Sequence, residues 1–274
     1  MACFHLNASV ISRGHGKSVT AASAYISGEK LRDIYDGRIH DRSYRRDVVY
    51  KEILLPPEAP HDLLDRQTLL DELNRAEKRI DSQMARSIHL ALPEELSFSE
   101  QVALVREFVK ISFIRYGLCA DIAIHQGKLD GRRKPASIEP VIERRDNRHA
   151  HIIIPFRAVN EHGFCRTKQQ TRFMNRLSYL ITWRELWAYL QNREFERHRL
   201  PVRVSHESLA AQGIDREPTN HVGAAAMALE QRGIRSDRGD QDREIIERNR
   251  NRELDRQRIR HRMQERNRGI ERTR

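Results

Sequence analysis

The sequence predicts an α+β fold: an antiparallel-rich sheet flanked by helices, followed by a charged helical C-terminal extension. Three observations carry this prediction. Short stretches of period-two apolar alternation are interleaved with longer stretches of helical period. No internal repeat organises them. Over residues 230–274 the composition shifts to 15 Arg, no Lys and 10 acids, with few large apolar side chains.

Taken in order, the first strand is expected over 4–12 (FHLNASVIS), where RGHGKS breaks the alternation with two glycines. SVTAASAYISGEKLRD then reads as a helix capped by Ser18. The letters GHGKS suggest a phosphate loop, but a Walker A motif needs glycine where Ile11 stands, so no helicase extension is expected. Asp36-Gly37 marks a turn. VVYKEILL (48–55) reads as the second strand, stopped by Pro56-Pro57. A helix is expected over 62–86, with Leu63, Leu64, Leu69, Leu70 and Leu73 as its apolar stripe. A strand over 87–92 and a Pro93 turn follow. The next helix, 99–116, has Ser97 or Ser99 as cap and Glu100 in its first turn. CADIAIH (119–125) and HAHIIIPFRA (149–158) read as strands flanking a polar, basic insertion, 126–148, expected to be a mobile surface loop. Residues 171–199 form a long helical pattern around Leu180, Trp183, Trp187 and Leu190, and 224–231 a short one. The domain reading is a body over 1–205, a helical part over 206–240 and an Arg-rich tail over 241–274. With so little to bury, the tail is expected to be a marginal helix that orders mainly on a partner.

The chain has 274 residues, with 50 Lys and Arg against 39 Asp and Glu, a net +11, and 38% hydrophobic content. No run approaches the ~20 apolar residues of a membrane span, so no membrane insertion is expected. Cys3, Cys119 and Cys165 are too few and too scattered for a disulfide framework. The first residues lack the basic-then-apolar order of a secretion signal. These readings leave a soluble cytoplasmic protein whose partner is a polyanion.

Alternation puts His149 and His151 on one face of a strand, and Asp121, Ala123 and His125 on one face of another. If those strands are neighbours, three imidazoles converge on one divalent metal with positions left open for phosphate oxygens or water. Tyr25 sits among small residues, where a bulky substrate backbone can approach. Its phenol, with a free pKa of ~10, needs a base or metal to become a nucleophile. Arg13 and Lys17 lie near the start of the Tyr25 helix and are candidates for DNA-phosphate contacts. Each residue also has a plain reading: hydrogen-bonded strand histidines, a packed tyrosine, solvated charges.

ISRGHGKSVTAASAYISGEKLRD, VVYKEILLP, EKRIDSQMARSIHLALPEEL, ADIAIH and HAHIIIPFR resemble, in order, the MobA/MobL family of plasmid mobilisation relaxases. The later WRELWAYLQNREFE and SLAAQGIDREPTNHVGAAAMALEQRGI look like that family too, so the resemblance runs from about Cys3 to Asp240. It implies a relaxase or HUH-like palm that nicks and rejoins single-stranded or extruded plasmid DNA at a transfer origin. The nucleophile it implies is Tyr25, attacking a phosphodiester to leave a 5′-phosphotyrosine. The implied ligands of Mg²⁺ or Mn²⁺ are His125, His149 and His151. Accessory relaxosome proteins and a coupling protein are implied partners. One departure stands out: Ser87 and His89 occupy positions where glutamates are expected in a strand resembling REIEIALP. Such a glutamate would orient a metal-binding histidine or help deprotonate the tyrosine. Asp121, on the face of His125, is the expected replacement, with His89 second. Two alternatives stay open: a DNA-binding relic of the fold, and a rolling-circle replication initiator.

Overall fold

In the computed structural model, which describes residues 4–127, 148–219 and 222–271, the chain divides into two compact units, Met1–His206 and Glu207–Arg274. The first contains β1 (Leu6–Ser12), α1 (Val19–Ser27), β2 (Lys30–Arg32), β3 (Ile39–Asp41), β4 (Val48–Leu54) and α2 (Arg66–Ala76). It continues with β5 (Gln83–Ala91), α3 (Phe98–Ser112), β6 (Ala120–His125), β7 (His149–Pro155), β8 (Val159–Asn160), β9 (Gly163–Phe164) and α4 (Leu177–Arg197). Five strands form the main sheet in the order β1-β5-β7-β6-β4, and every pairing is antiparallel.

The sheet is covered on both faces, and strand alternation decides which side chains go where. On one face Ile88, Leu90, Ile122, Ile124, Ile152 and Ile154 pack against Phe108, Trp183, Trp187 and Phe195 of α3 and α4. On the other, Ala85, Ala123 and Ile153 pack against Val19, Ala24 and Ile26 of α1 and Leu70 and Leu73 of α2. Trp187 is fully buried, and truncating such a side chain to alanine typically costs about 3–5 kcal/mol. Ser97 closes a capping box with Glu100 at the start of α3, which settles the choice between the two serines.

Several expected boundaries move. The Tyr25 helix ends at Ser27 because Gly28 takes a left-handed φ of +66° and closes the last turn onto the Ala24 carbonyl. A side chain there would also meet Val48 at 3.2 Å from its Cβ. Residues expected to continue the helix instead form β2. The helix expected over 62–86 stops at Ala76, since Glu77 is drawn into a buried ion pair with Arg157 at 2.7 Å. Its last residues become the start of β5, hydrogen-bonded to β1 and β7. A 3₁₀ turn over Gln169–Asn175 precedes α4, so that helix begins later than expected. Of the insertion expected to be a surface loop, 128–147 lies outside the described residues.

The second unit holds α5 (Ala224–Gln231) and α6 (Asp237–Glu271), a continuous helix of 35 residues that runs through the boundary expected at 240/241. Ion pairs lace its surface. Arg243, Arg248, Arg256 and Arg258 pair within α6 with Asp240, Glu244, Glu253 and Asp255. Arg248 and Arg252 also bind Glu217, and Arg243 binds Glu230. Each exposed pair contributes little, but a network of them holds a helix that propensity alone would leave fraying. Among the described residues no helix is long and apolar enough to cross a membrane, and Cys119 and Cys165 are free thiols.

Candidate active site

Register in the centre of the sheet brings the histidines together. His125 on β6 lies opposite His149 on β7, and His89 on β5 lies opposite His151 on β7. Alternation turns His149 and His151 to one face. The ligand atoms that His125, His149 and His151 can offer all lie within 4.8 Å of one another. Ring centroids are 4.4 Å apart for His125 and His151, and 4.9 Å for His149 and His151. Both ring nitrogens of His151 are buried without a hydrogen-bond partner. Burial and the neighbouring imidazoles push its pKa down to about 2. Burial likewise lowers the pKa values of His125 and His89. Neutral imidazoles with an orphaned buried nitrogen fit a divalent cation.

Tyr25 reaches the same place from α1. Its ring is 6.0 Å from that of His125 and 6.2 Å from that of His151, and 47% of the residue is exposed. It occupies the last turn of α1, whose final carbonyls have no intrahelical donor. Two site residues satisfy them. His125 Nε2 donates to the Ile26 carbonyl at 2.7 Å, and Arg45 Nη1 donates to the Tyr25 carbonyl at 3.1 Å. The first bond fixes the His125 tautomer and leaves the Nδ1 lone pair toward the site.

Arg45 is the residue that sequence reasoning missed. Its guanidinium is 4.0 Å from the Tyr25 ring centroid, and Nη2 donates to His125 Nδ1 at 3.3 Å. Asp47 anchors it at 2.9 Å and is itself held down to about pKa 2, chiefly by that hydrogen bond. The only signal was the basic stretch DRSYRRD between β3 and β4, which reads equally well as exposed charge. His89, a departure from the expected glutamate and second to Asp121 as its replacement, lies beside the cluster. Its ring lies 4.4 Å from His151, and Ser87 Oγ is 3.3 Å from its Nε2.

Two of the expected site residues make their contacts away from the histidines. Asp121 shares the face of His125 but does not reach a histidine. Its carboxylate accepts from Ser23 Oγ at 2.5 Å and from Arg66 at 2.8 Å and 3.0 Å. Three residues separate it from His125 along β6, and Arg66 of α2 lies within hydrogen-bond reach. It therefore ties the Tyr25 helix and α2 to the sheet. Arg13, expected at DNA phosphate, spends its guanidinium on the Glu77 and Arg79 carbonyls at 2.6 Å and 2.9 Å, on Asn74 at 2.9 Å and on the Tyr35 ring. Lys17 remains exposed beside the start of α1, with Nζ 3.4 Å from the Val10 carbonyl.

An all-antiparallel palm carrying a histidine cluster beneath a helix-borne tyrosine is the relaxase class of fold. Residues 17–232 match the model of the MobA/MobL family. The chain is similar to the mobilization protein MobL of Acidithiobacillus ferridurans, 32% identical over 90% of this chain and 69% of the relative. It is 30% identical to the conjugal transfer protein TraA of Agrobacterium fabrum over 86% of this chain, but spans only 23% of that longer relative. A solved structure reported as "Molecular Basis of Vancomycin Resistance Transfer in Staphylococcus aureus" superposes with a TM-score of 0.64 at 29% identity, over 76% of this chain and 100% of that one. The chain belongs to the MobA/MobL family.

Proposed function

We propose that this protein nicks and rejoins one strand of plasmid DNA at a transfer origin during conjugative mobilisation. The observation that carries the reading is the approach of the exposed Tyr25 ring to His125 and His151, whose ligand atoms cluster with that of His149 within 4.8 Å. Tyr25 supplies the oxygen that attacks the scissile phosphorus. The P–O3′ bond breaks, the phenolic proton passes to solvent or a nearby imidazole, and the 3′-oxygen leaves and takes up a proton from the same source to become a hydroxyl. The bond energy is retained in the 5′-phosphotyrosine, so ligation is the reverse reaction. His125, His149 and His151 hold Mg²⁺ or Mn²⁺, which when bound polarises the phosphate oxygens and stabilises their developing charge. Arg45 fixes the ring and its helix turn. Lys17 and the surplus of arginine attract the strand, which must be single-stranded or extruded to reach the tyrosine. The work is cytoplasmic, and accessory relaxosome proteins and a coupling protein are its partners.

A second reading, a DNA-binding relic, is favoured by one observation: Asp121 pairs with Arg66 and Ser23 rather than with a site histidine, while Ser87 and His89 supply no carboxylate. One experiment separates the two. The full chain is incubated with Mn²⁺ and labelled origin oligonucleotides, and a covalent adduct is sought on a denaturing gel. An adduct abolished by Tyr25→Phe supports strand transfer, whereas tight binding with no adduct on any cognate origin supports the relic. An adduct that survives Tyr25→Phe moves the nucleophile elsewhere, with Tyr35 and Tyr44 next in line.

A further inference from the structure

Arg86 precedes Ser87 on β5, so it projects to the face of the sheet opposite the histidines. It is only 4% exposed. Its Nη2 donates to Asn175 Oδ1 at 2.6 Å, and its guanidinium lies 4.2 Å from the Phe156 ring centroid. Among the described residues no carboxylate pairs with it, and Nη1 is buried with no hydrogen-bond partner. Burial lowers its pKa to about 10. Arginine is seldom buried without an anion, because the charge is separated from water with nothing to replace the solvation.

Besides the Trp183 ring at 6.0 Å, this cation has Phe156 and Asn175 as neighbours, and these two, though not Arg86 itself, line a cavity of about 530 Å³ together with Lys168, Gln169, Thr171 and Arg172. No acid lines it. Arg172 is exposed, and none of the hydrogen bonds or ion pairs of the described residues involves it. Lys168 donates to the Gln83 carbonyl at 2.6 Å and to Glu77 at 2.8 Å, which leaves one N–H. Asn175 thus offers Arg86 a neutral oxygen where a guanidinium most favours an anionic one.

We propose that this cavity is an oxyanion site for a phosphoryl group, with Lys168 and Arg172 as the cations that line it and Arg86 as a buried cation behind its Phe156 and Asn175 wall. The phosphoryl group belongs either to the backbone of a bound strand or to a free nucleotide. The site lies across the sheet from Tyr25 and does not rest on the strand-transfer reading.

Equilibrium dialysis of the full, metal-free chain against labelled inorganic phosphate tests it. Saturable binding is expected, weakened roughly tenfold or more by Arg172→Glu, which removes one charge-assisted contact and adds a repulsive one. Arg86→Met is expected to weaken the binding through loss of the buried positive charge behind the cavity wall, while unfolding at equal or higher urea, since an apolar isostere relieves the unpaired charge. Competition by an oligothymidylate assigns the group to a strand backbone, and competition by a mononucleotide alone assigns it to a nucleotide. Tyr25→Phe should bind phosphate normally, which separates failure here from failure of the nicking activity. Absence of saturable binding, or binding unchanged in Arg172→Glu and Arg86→Met, would overturn the proposal. So would loss of stability in Arg86→Met with phosphate binding retained, because Arg86 would then be a packing strut.

Discussion

Arg45 stacks on Tyr25, its guanidinium carbon 4.0 Å from the ring centroid, while the same side chain donates to His125 Nδ1 at 3.3 Å. One cation thus joins the proposed nucleophile to a proposed metal ligand. It holds the helix turn that carries Tyr25, and it shares the lone pair that a metal would take.

Replacing Arg45 by alanine should therefore separate two measurements. Adduct formation is expected to slow by about 10- to 100-fold, the usual cost of loosening a reacting group. Calorimetric affinity for Mn²⁺ should rise by about fivefold, the worth of one hydrogen bond no longer displaced. A parallel loss of both would mean that Arg45 only supports the fold.

His151→Ala should lose Mn²⁺ binding, and with it the thermal stabilisation that the metal gives the parent chain. At 100 times its Kd a single ligand stabilises by about 2.7 kcal/mol. His89→Ala should retain most of that gain, since His89 stands outside the cluster of three ligand atoms. Equal losses in the two variants would make His89 a ligand.

Metal-free stability should fall with acidification below neutrality. His151, His125 and His89 have folded pKa values below the ordinary 6.5, that of His151 about 2. Below 6.5 the unfolded chain binds more protons than the folded one, so stability rises with pH across this window and is lost as pH falls through it. Each such histidine contributes up to about 1.4 kcal/mol per pH unit. Asp47, held at about 2, loses its contribution only in stronger acid. Urea unfolding at pH 7.5 and 5.5 checks this, and equal midpoints would contradict it.

Asp121→Ala should cost about 3–5 kcal/mol, because it leaves the buried Arg66 with Glu29 alone. The folded fraction should still bind Mn²⁺ with parental affinity. A collapse of metal affinity in folded protein would return Asp121 to the metal site.

The histidine cluster was legible because it depends on a period of two, which survives any arrangement of neighbouring strands, and β6 does pair with β7. Tyr25 was legible through the resemblance and not through its own chemistry. Arg45 was not legible, since nothing local distinguishes it from Arg42 or Arg46; its role arises where α1 and β4 meet in space. Asp121 shares its face with His125, but a face is shared along a whole strand, while reach is limited to the nearest partner. The end of α2 was missed for a related reason. EKRIDS is compatible with a helix, and the ion pair of Glu77 with Arg157, 80 residues away, is invisible to local propensity.

The 35 residues of α6 have one further consequence. At 1.5 Å per residue it measures about 52 Å, the length of roughly 15 base pairs of duplex DNA. It is a yardstick built of paired charges with almost no buried face. Those charges are exposed, so dilute salt leaves their mutual attraction nearly whole and concentrated salt screens it.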